Sequence, residues 1–151
     1  MPEAATLRPA RAEDLFSVGA LLEKAGLPLE GVEGSFAGFF VAERGGKTVG
    51  SVGVEIAGDA GMVRSLAVEA SLRGRGTGDA LLRRGEEALR AAGVAEAWVL
   101  TETAPAFFLS RGYRDAPRSS LPPALAERSA LSSVCPCSCR CLKKSLVSPE
   151  A

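Results

Sequence analysis

The residues best suited to chemistry are six in a row, Arg73-Gly74-Arg75-Gly76-Thr77-Gly78. Glycines let the backbone pass close to a ligand, and a helix opening directly after them offers first-turn N–H groups that have no partner inside the helix. Such a loop is a cradle for an anion. Its two arginines add charge-assisted hydrogen bonds of the kind that hold a diphosphate. The spacing excludes the commonest phosphate loops, because GxxxxGK[ST] is absent and the run is not GxGxxG. A purely structural glycine turn with solvent-facing arginines would use the same residues.

Other side chains could act beside this loop. Arg64 lies within the apolar run Met62 to Val68, and a buried guanidinium without an anion costs several kcal/mol. It therefore needs either a carboxylate of the chain or the acid group of an amino-acid-like ligand, held bidentately. Glu55, Glu69 and Glu102 fall on or next to strands nearby, where each is either a base, acting directly or through water, or a surface carboxylate. All four cysteines, Cys135, Cys137, Cys139 and Cys141, alternate in one short segment. In an extended strand they would sit about 6.6 Å apart on one side, so four cannot converge on one centre, though three could if Pro136 turns the chain. With no histidine, mixed Cys/His zinc sites are excluded, and packed reduced thiols are the expectation. No metal is expected.

The elements that must position these residues follow from periodicity and punctuation. Thr6 to Pro9 reads as a first strand, and Ala12 to Ala25 as an amphipathic helix with Leu15, Val18, Leu22 and Ala25 inward and Gly26 as its stop. Leu27 to Gly38 is glycine-rich and aperiodic. Phe39 to Arg44 and Thr48 to Ile56, flanking Gly45-Gly46-Lys47, form a hairpin, and Gly58-Asp59 turns the chain into Met62 to Val68. Three antiparallel strands thus lead to the glycine loop. The helix after it, Thr77 to Ala92, should bury Ala80, Leu81, Ala88 and Leu89 and keep its arginines and glutamates outside. Ala97 to Thr101 is a strand expected beside Met62 to Val68, Ala104 to Arg111 a short helix, and Gly112 to Arg114 the start of another strand. Beyond a proline-containing linker, Ala116 to Pro123, come a short helix, Ala124 to Leu131, and a last strand, Cys139 to Leu146.

Composition narrows the class. The 151 residues suit one domain, 46% are hydrophobic, and 18 basic residues balance 18 acidic ones, so no global field draws nucleic acid or an anionic membrane. No stretch reaches the ~18 consecutive apolar residues of a membrane span, and MPEAATLRPA lacks the apolar core of a secretory signal. Clustered cysteines are not the framework of a stapled secreted domain. The expected location is cytoplasmic.

The pattern Arg73-x-x-Gly76-x-Gly78 after Leu66-Ala67-Val68 resembles the cofactor motif of the GNAT superfamily of N-acetyltransferases, and Ala104 to Tyr113, AxxFFLSRGY, resembles its second signature. The resemblance covers roughly Leu7 to Tyr113. It implies an α/β (α+β) GNAT fold, with a mixed, mostly antiparallel central sheet of about six to seven strands and helices on both faces. It implies one domain over residues 1–151, of which 1–116 hold the motif-bearing core and 117–151 the linker, short helix and last strand. The cofactor it implies is acetyl-CoA, with Leu66, Ala67 and Val68 at a strand bulge contacting the pantetheine arm and Arg73, Gly74, Arg75, Gly76, Thr77 and Gly78 the diphosphate. Thr101, matching an asparagine that touches the pantetheine, and Phe108, matching the tyrosine often assigned as general acid, complete the cofactor-binding residues that the resemblance implies. A phenyl ring cannot protonate a leaving thiolate, and Tyr113, five residues on, reads as a packing aromatic.

Arg64 to Val68, the Phe107-Phe108 pair and tail residues such as Cys135, Pro136, Ser138, Cys141 and Lys144 further resemble the arsenic-resistance N-acetyltransferases. Phenylalanine is common in that group at the position of Phe108, while Cys137 and Cys139 depart from its pattern. The implied reaction is direct attack of a small primary amine, in an arsenic-resistance role an amino-acid-like toxin, on the acetyl thioester. Glu69, Glu102 and Glu55 are the candidate bases, and Arg64 and Ser65 the candidate acceptor-binding residues. The partner is then a small molecule, not nucleic acid or membrane, and a homodimer is compatible with the sequence. The competing reading is a non-catalytic acyl-CoA-binding or thiol-based metalloid-sensing module.

Overall fold

Apolar runs, buried on both faces in the central strands, build a seven-stranded sheet in the computed structural model, which describes residues 5–102, 104–128 and 139–147. The strands are β1 (Thr6–Pro9), β2 (Phe39–Arg44), β3 (Lys47–Ala57), β4 (Ala60–Val68), β5 (Glu96–Thr101), β6 (Arg114–Asp115) and β7 (Arg140–Ser145), in the order β1-β2-β3-β4-β5-β7-β6. Every pair is antiparallel except β4 with β5. The β2–β3 turn is only Gly45-Gly46, at φ 59° and 78°, the left-handed pair that a two-residue hairpin needs. Lys47 consequently pairs with Arg44 as strand instead of extending the turn.

Helices cover both faces, as the resemblance implies. α1 (Leu15–Lys24), entered through a tight turn at Ala12–Asp14, buries Val18 and Leu22 against Phe39 and Val41. α2 (Thr77–Ala91) lies on the opposite face and packs Leu81, Leu82 and Leu89 against Val52, Val54 and Val63. The short α3 (Pro105–Leu109) follows β5, and α4 (Pro123–Arg128) shares the face of α1, its Leu125 packing with Met62, Trp98 and Cys141. None of the described helices is long and apolar enough to cross a membrane.

Two expectations need correction. Ala80 and Ala88 are only half-buried, whereas Leu82 and Glu86 of α2 are buried. Glu86 turns inward because Tyr113 donates its hydroxyl to Glu86 Oε2 at 2.7 Å and Lys144 Nζ reaches the same carboxylate at 3.1 Å. Burial first, and then the charge of Glu86, push the Tyr113 hydroxyl pKa far up, so this phenol stays protonated. Secondly, the strand expected at Gly112 to Arg114 forms only at Arg114–Asp115, and β7 enters between β5 and β6, pairing with all of β5.

The edge of the sheet is tied to α1 by charge. Arg8 donates to both carboxylate oxygens of Asp14, at 2.8 and 3.0 Å, and to Glu43 Oε2 at 3.1 Å, while the Arg11 N–H donates to Asp14 Oδ2 at 2.7 Å. The Arg8 hydrogen bonds hold the Asp14 carboxyl below its ordinary value, against the opposing effect of burial. A carboxyl whose folded pKa is depressed adds stability above its unfolded pKa, and loses it as pH falls through the folded value. Asp14→Asn should thus cost about 1–3 kcal/mol at pH 7, and the gap in melting temperature from wild type should close on titration below pH ~4. A gap that stays constant down to pH 2 would show that the carboxylate's charge is immaterial.

Candidate functional site

The ladder between β4 and β5 ends early. Only Gly61 with Ala97 and Met62 with Trp98 are paired, although β4 runs on to Val68 and β5 to Thr101. Beyond these pairs the two parallel strands part, and the edge of β4 facing β5 has no strand to bond among the described residues. On the other side β4 stays paired with β3, but with a bulge: Gly53 faces Arg64 and Ser51 faces Ala67, so Val52 opposes both Ser65 and Leu66. Ser65 has φ 56°, the one non-glycine residue among those described with a left-handed backbone. Such a conformation costs of order 1 kcal/mol and persists where neighbours enforce it. Buried Ser51 donates its hydroxyl to Ser65 O at 2.8 Å, and Arg64 Nε donates to Ser65 Oγ at 3.0 Å.

The bulge thus falls beside Leu66, Ala67 and Val68, as the resemblance implies, and the glycine loop continues from it. Gly74 and Gly76 both adopt φ 81°, and Gly76 is the last residue before α2. Arg73 and Arg75 are exposed on either side of Gly74. Asp79 in the first turn of α2 would repel an anion, but Arg83 and Arg111 each bind its carboxylate at 3.1 Å. Arg111 also stacks on Phe107, 3.7 Å from guanidinium carbon to ring centre, and the Phe107 ring lies beside Gly78. These contacts dock α3 next to the start of α2, forming a second wall. Thr101 is buried at the end of β5, where its Oγ1 accepts the Ala104 N–H at 3.2 Å. Phe108 is buried edge-on to both Phe107 and Tyr113.

The remaining candidates divide. Arg64 and Glu55 meet: the Arg64 side chain is wholly buried and donates from Nη1 to Glu55 Oε2 at 2.9 Å and from Nη2 to the Glu30 carbonyl at 2.7 Å. Of the two partners open in the sequence, the chain supplies its own carboxylate. Ser35 Oγ also donates to Glu55 Oε2, at 2.9 Å, so the 27–38 loop is stitched to the sheet at two points. Glu69 lies elsewhere, following β4, with Ser71 Oγ at 3.0 Å and Lys47 Nζ at 3.6 Å. Glu102 is exposed at the end of β5. Ser35, Ser51 and the Glu30 carbonyl have no motif to announce them; a serine inside the apolar run of β3 was the one hint, at Ser51.

The cysteine segment is described only in part, since Cys135 and Cys137 lie outside the described residues. Cys141 is buried in the Trp98 and Leu125 cluster, and loss of solvation pushes its thiol above the ordinary value, against the nearby charges of Arg118 and Lys143. Among the described residues no group of three or more His, Cys, Asp or Glu side chains could hold a metal ion.

Comparison with known proteins agrees with this geometry. The chain is similar in fold to N-acetylglutamate synthase from Neisseria gonorrhoeae complexed with coenzyme A and N-acetyl-glutamate, with a TM-score of 0.83 and 24% identity. That match covers 98% of this chain but 36% of the longer enzyme. Rv2747 from Mycobacterium tuberculosis, in complex with CoA, aligns over 94% of this chain and 99% of its own, at 24% identity and a TM-score of 0.77. A GNAT-family acetyltransferase from Staphylococcus aureus aligns over 95% and 100%, at 14% identity and a TM-score of 0.78. No curated protein sequence matches the chain significantly. The model of the acetyltransferase (GNAT) domain matches residues 35–115, the span holding the hairpin, the bulge, the glycine loop and α3. With more than half of its length matched and its strands parted beside a glycine-rich helix start, the chain belongs to the GNAT acetyltransferase family.

Proposed function

We propose that the protein is an N-acetyltransferase that binds acetyl-CoA in the wedge between β4 and β5 and transfers the acetyl group to a small primary amine. The observation that carries this reading is the parting of the two strands beyond Met62 and Trp98, with the bulge on one wall and the glycine loop at its mouth. In this reading N–H groups around Ala67 and Val68, freed from the ladder on the β5 side, hold the pantetheine and polarise the thioester carbonyl. The first-turn N–H groups of α2 with Arg73 and Arg75 hold the diphosphate. Acetyl-CoA supplies an activated acyl group, so the chain's own task is to orient the amine and accept its proton.

Among acceptors, the likeness of Arg64 to Val68 and of the tail to the arsenic-resistance N-acetyltransferases makes an amino-acid-like organoarsenical the first to assay. Release of CoA thiol should depend on both acetyl-CoA and an added amine. Acetyl-CoA binding without turnover on any of a broad panel of amines would instead favour a binding module.

Phe108 supplies no acid in this scheme, so its replacement is informative. Phe108→Leu should lower turnover by far less than the ~10²-fold that loss of a general acid costs, the effect being confined to packing. A hundredfold fall with acetyl-CoA affinity intact would reveal a role for the ring in the chemical step.

A further inference from the structure

One buried oxygen in the ion-pair cluster is unaccounted for. Glu55 Oε2 takes hydrogen bonds from Arg64 and Ser35, but Glu55 Oε1 is buried and has no hydrogen-bond partner among the described residues. A buried carboxylate oxygen lacking a donor forfeits a strong, charge-assisted hydrogen bond, so Oε1 is open to a donor that the described residues do not provide. Glu55 also lines a pocket of about 380 Å³, bounded by Gly34 and Ser35 of the loop, Ala57 of β3 and Leu125 of α4. That pocket opens on the face of the sheet that carries Arg64, and the Arg64 guanidinium links the Glu55 carboxylate to the bulge through Ser65 Oγ.

Charge decides what kind of group fits. Arg64 is wholly buried, already neutralised by Glu55 and further bonded to Ser65 and Glu30, so an incoming carboxylate would bring a second negative charge into the cluster with no cation to balance it. An amino group brings no such charge. We propose that Glu55 is the acceptor-binding residue, that Oε1 receives a hydrogen bond from the acceptor's amino group, and that Arg64 positions this carboxylate instead of binding the acceptor's acid group. The inference rests on the acetyl-transfer reading for its function, and it adds a specificity: the protein selects small primary amines without requiring a carboxylate.

Ethylamine and L-alanine differ by that carboxylate and serve as probes. On wild type, ethylamine should be acetylated with a KM no higher than that of L-alanine. Glu55→Gln should raise the KM for ethylamine roughly ten- to hundredfold, the loss of a hydrogen bond to a charged group, while the Kd for acetyl-CoA holds. The second measurement needs no variant to turn over: with carboxyl-labelled glutamate, and the Glu55 resonance assigned through Glu55→Asp, ethylamine should shift that resonance saturably in the full chain. An unchanged KM in Glu55→Gln, a marked preference for L-alanine, or an unmoved Glu55 resonance would each overturn the inference. If wild type acetylates neither probe nor any other amine of a broad panel, the acetyl-transfer reading is what fails, and the resonance titration still decides whether Glu55 holds an amine.

Discussion

Gly76→Asp should abolish the thermal stabilisation that acetyl-CoA gives the wild-type protein. At a hundred times its Kd, a ligand of the folded state alone adds about 2.7 kcal/mol, which is roughly 5–10 °C of melting temperature for a chain of this size. Two effects act in the variant. At φ 81° a side chain costs about 1–2 kcal/mol of backbone strain, and the new carboxylate faces the diphosphate at the mouth of α2. Gly76→Ala separates them, since it carries the strain without the charge, and a Cβ at this position would meet no atom within 4 Å. It should keep most of the shift. A full shift in Gly76→Asp would mean that acetyl-CoA does not use this loop.

Arg64→Met should be the most destabilising single change in the site, by about 3–5 kcal/mol, because it strands the Glu55 carboxylate in a buried position. In melting temperature that is roughly 6–20 °C. The loss has a second part, since the Ser65 bulge would lose the guanidinium that holds its hydroxyl, and the 27–38 loop its anchor at Glu30. Arg64→Met combined with Glu55→Leu should recover much of the stability, as apolar replacement of a buried pair is often neutral. Denaturant melts of the two single variants and the double variant give the coupling directly. Additive losses, or a cost below about 1 kcal/mol for Arg64→Met alone, would show that the pair is not a unit. Acetyl-CoA affinity in the double variant then reports how far the bulge depends on these side chains.

What the sequence determined by itself is local in origin. Short apolar runs set off by turn residues placed β1 and β2 to the residue, and the helix-period stripe with Gly26, at positive φ, marked where α1 stops. The glycine loop before α2 was equally legible as a turn, because a glycine run between a strand and a helix is specified by neighbouring residues and their allowed backbone angles. Tertiary structure decided whatever depends on residues far apart in the chain. Nothing near Glu86 marks it as buried, since its reason is Tyr113 and Lys144, 27 and 58 residues away. Arg64 could be recognised as needing an anion but not as belonging to Glu55, and the early end of the β4–β5 ladder depends on how two strands about thirty-five residues apart meet, with Gly61 and Met62 paired to Ala97 and Trp98 and no pair beyond these among the described residues. The physical difference is one of energy. Backbone propensity acts over a few residues, whereas the burial of a charge costs several kcal/mol and can be offset only by the partner the fold delivers.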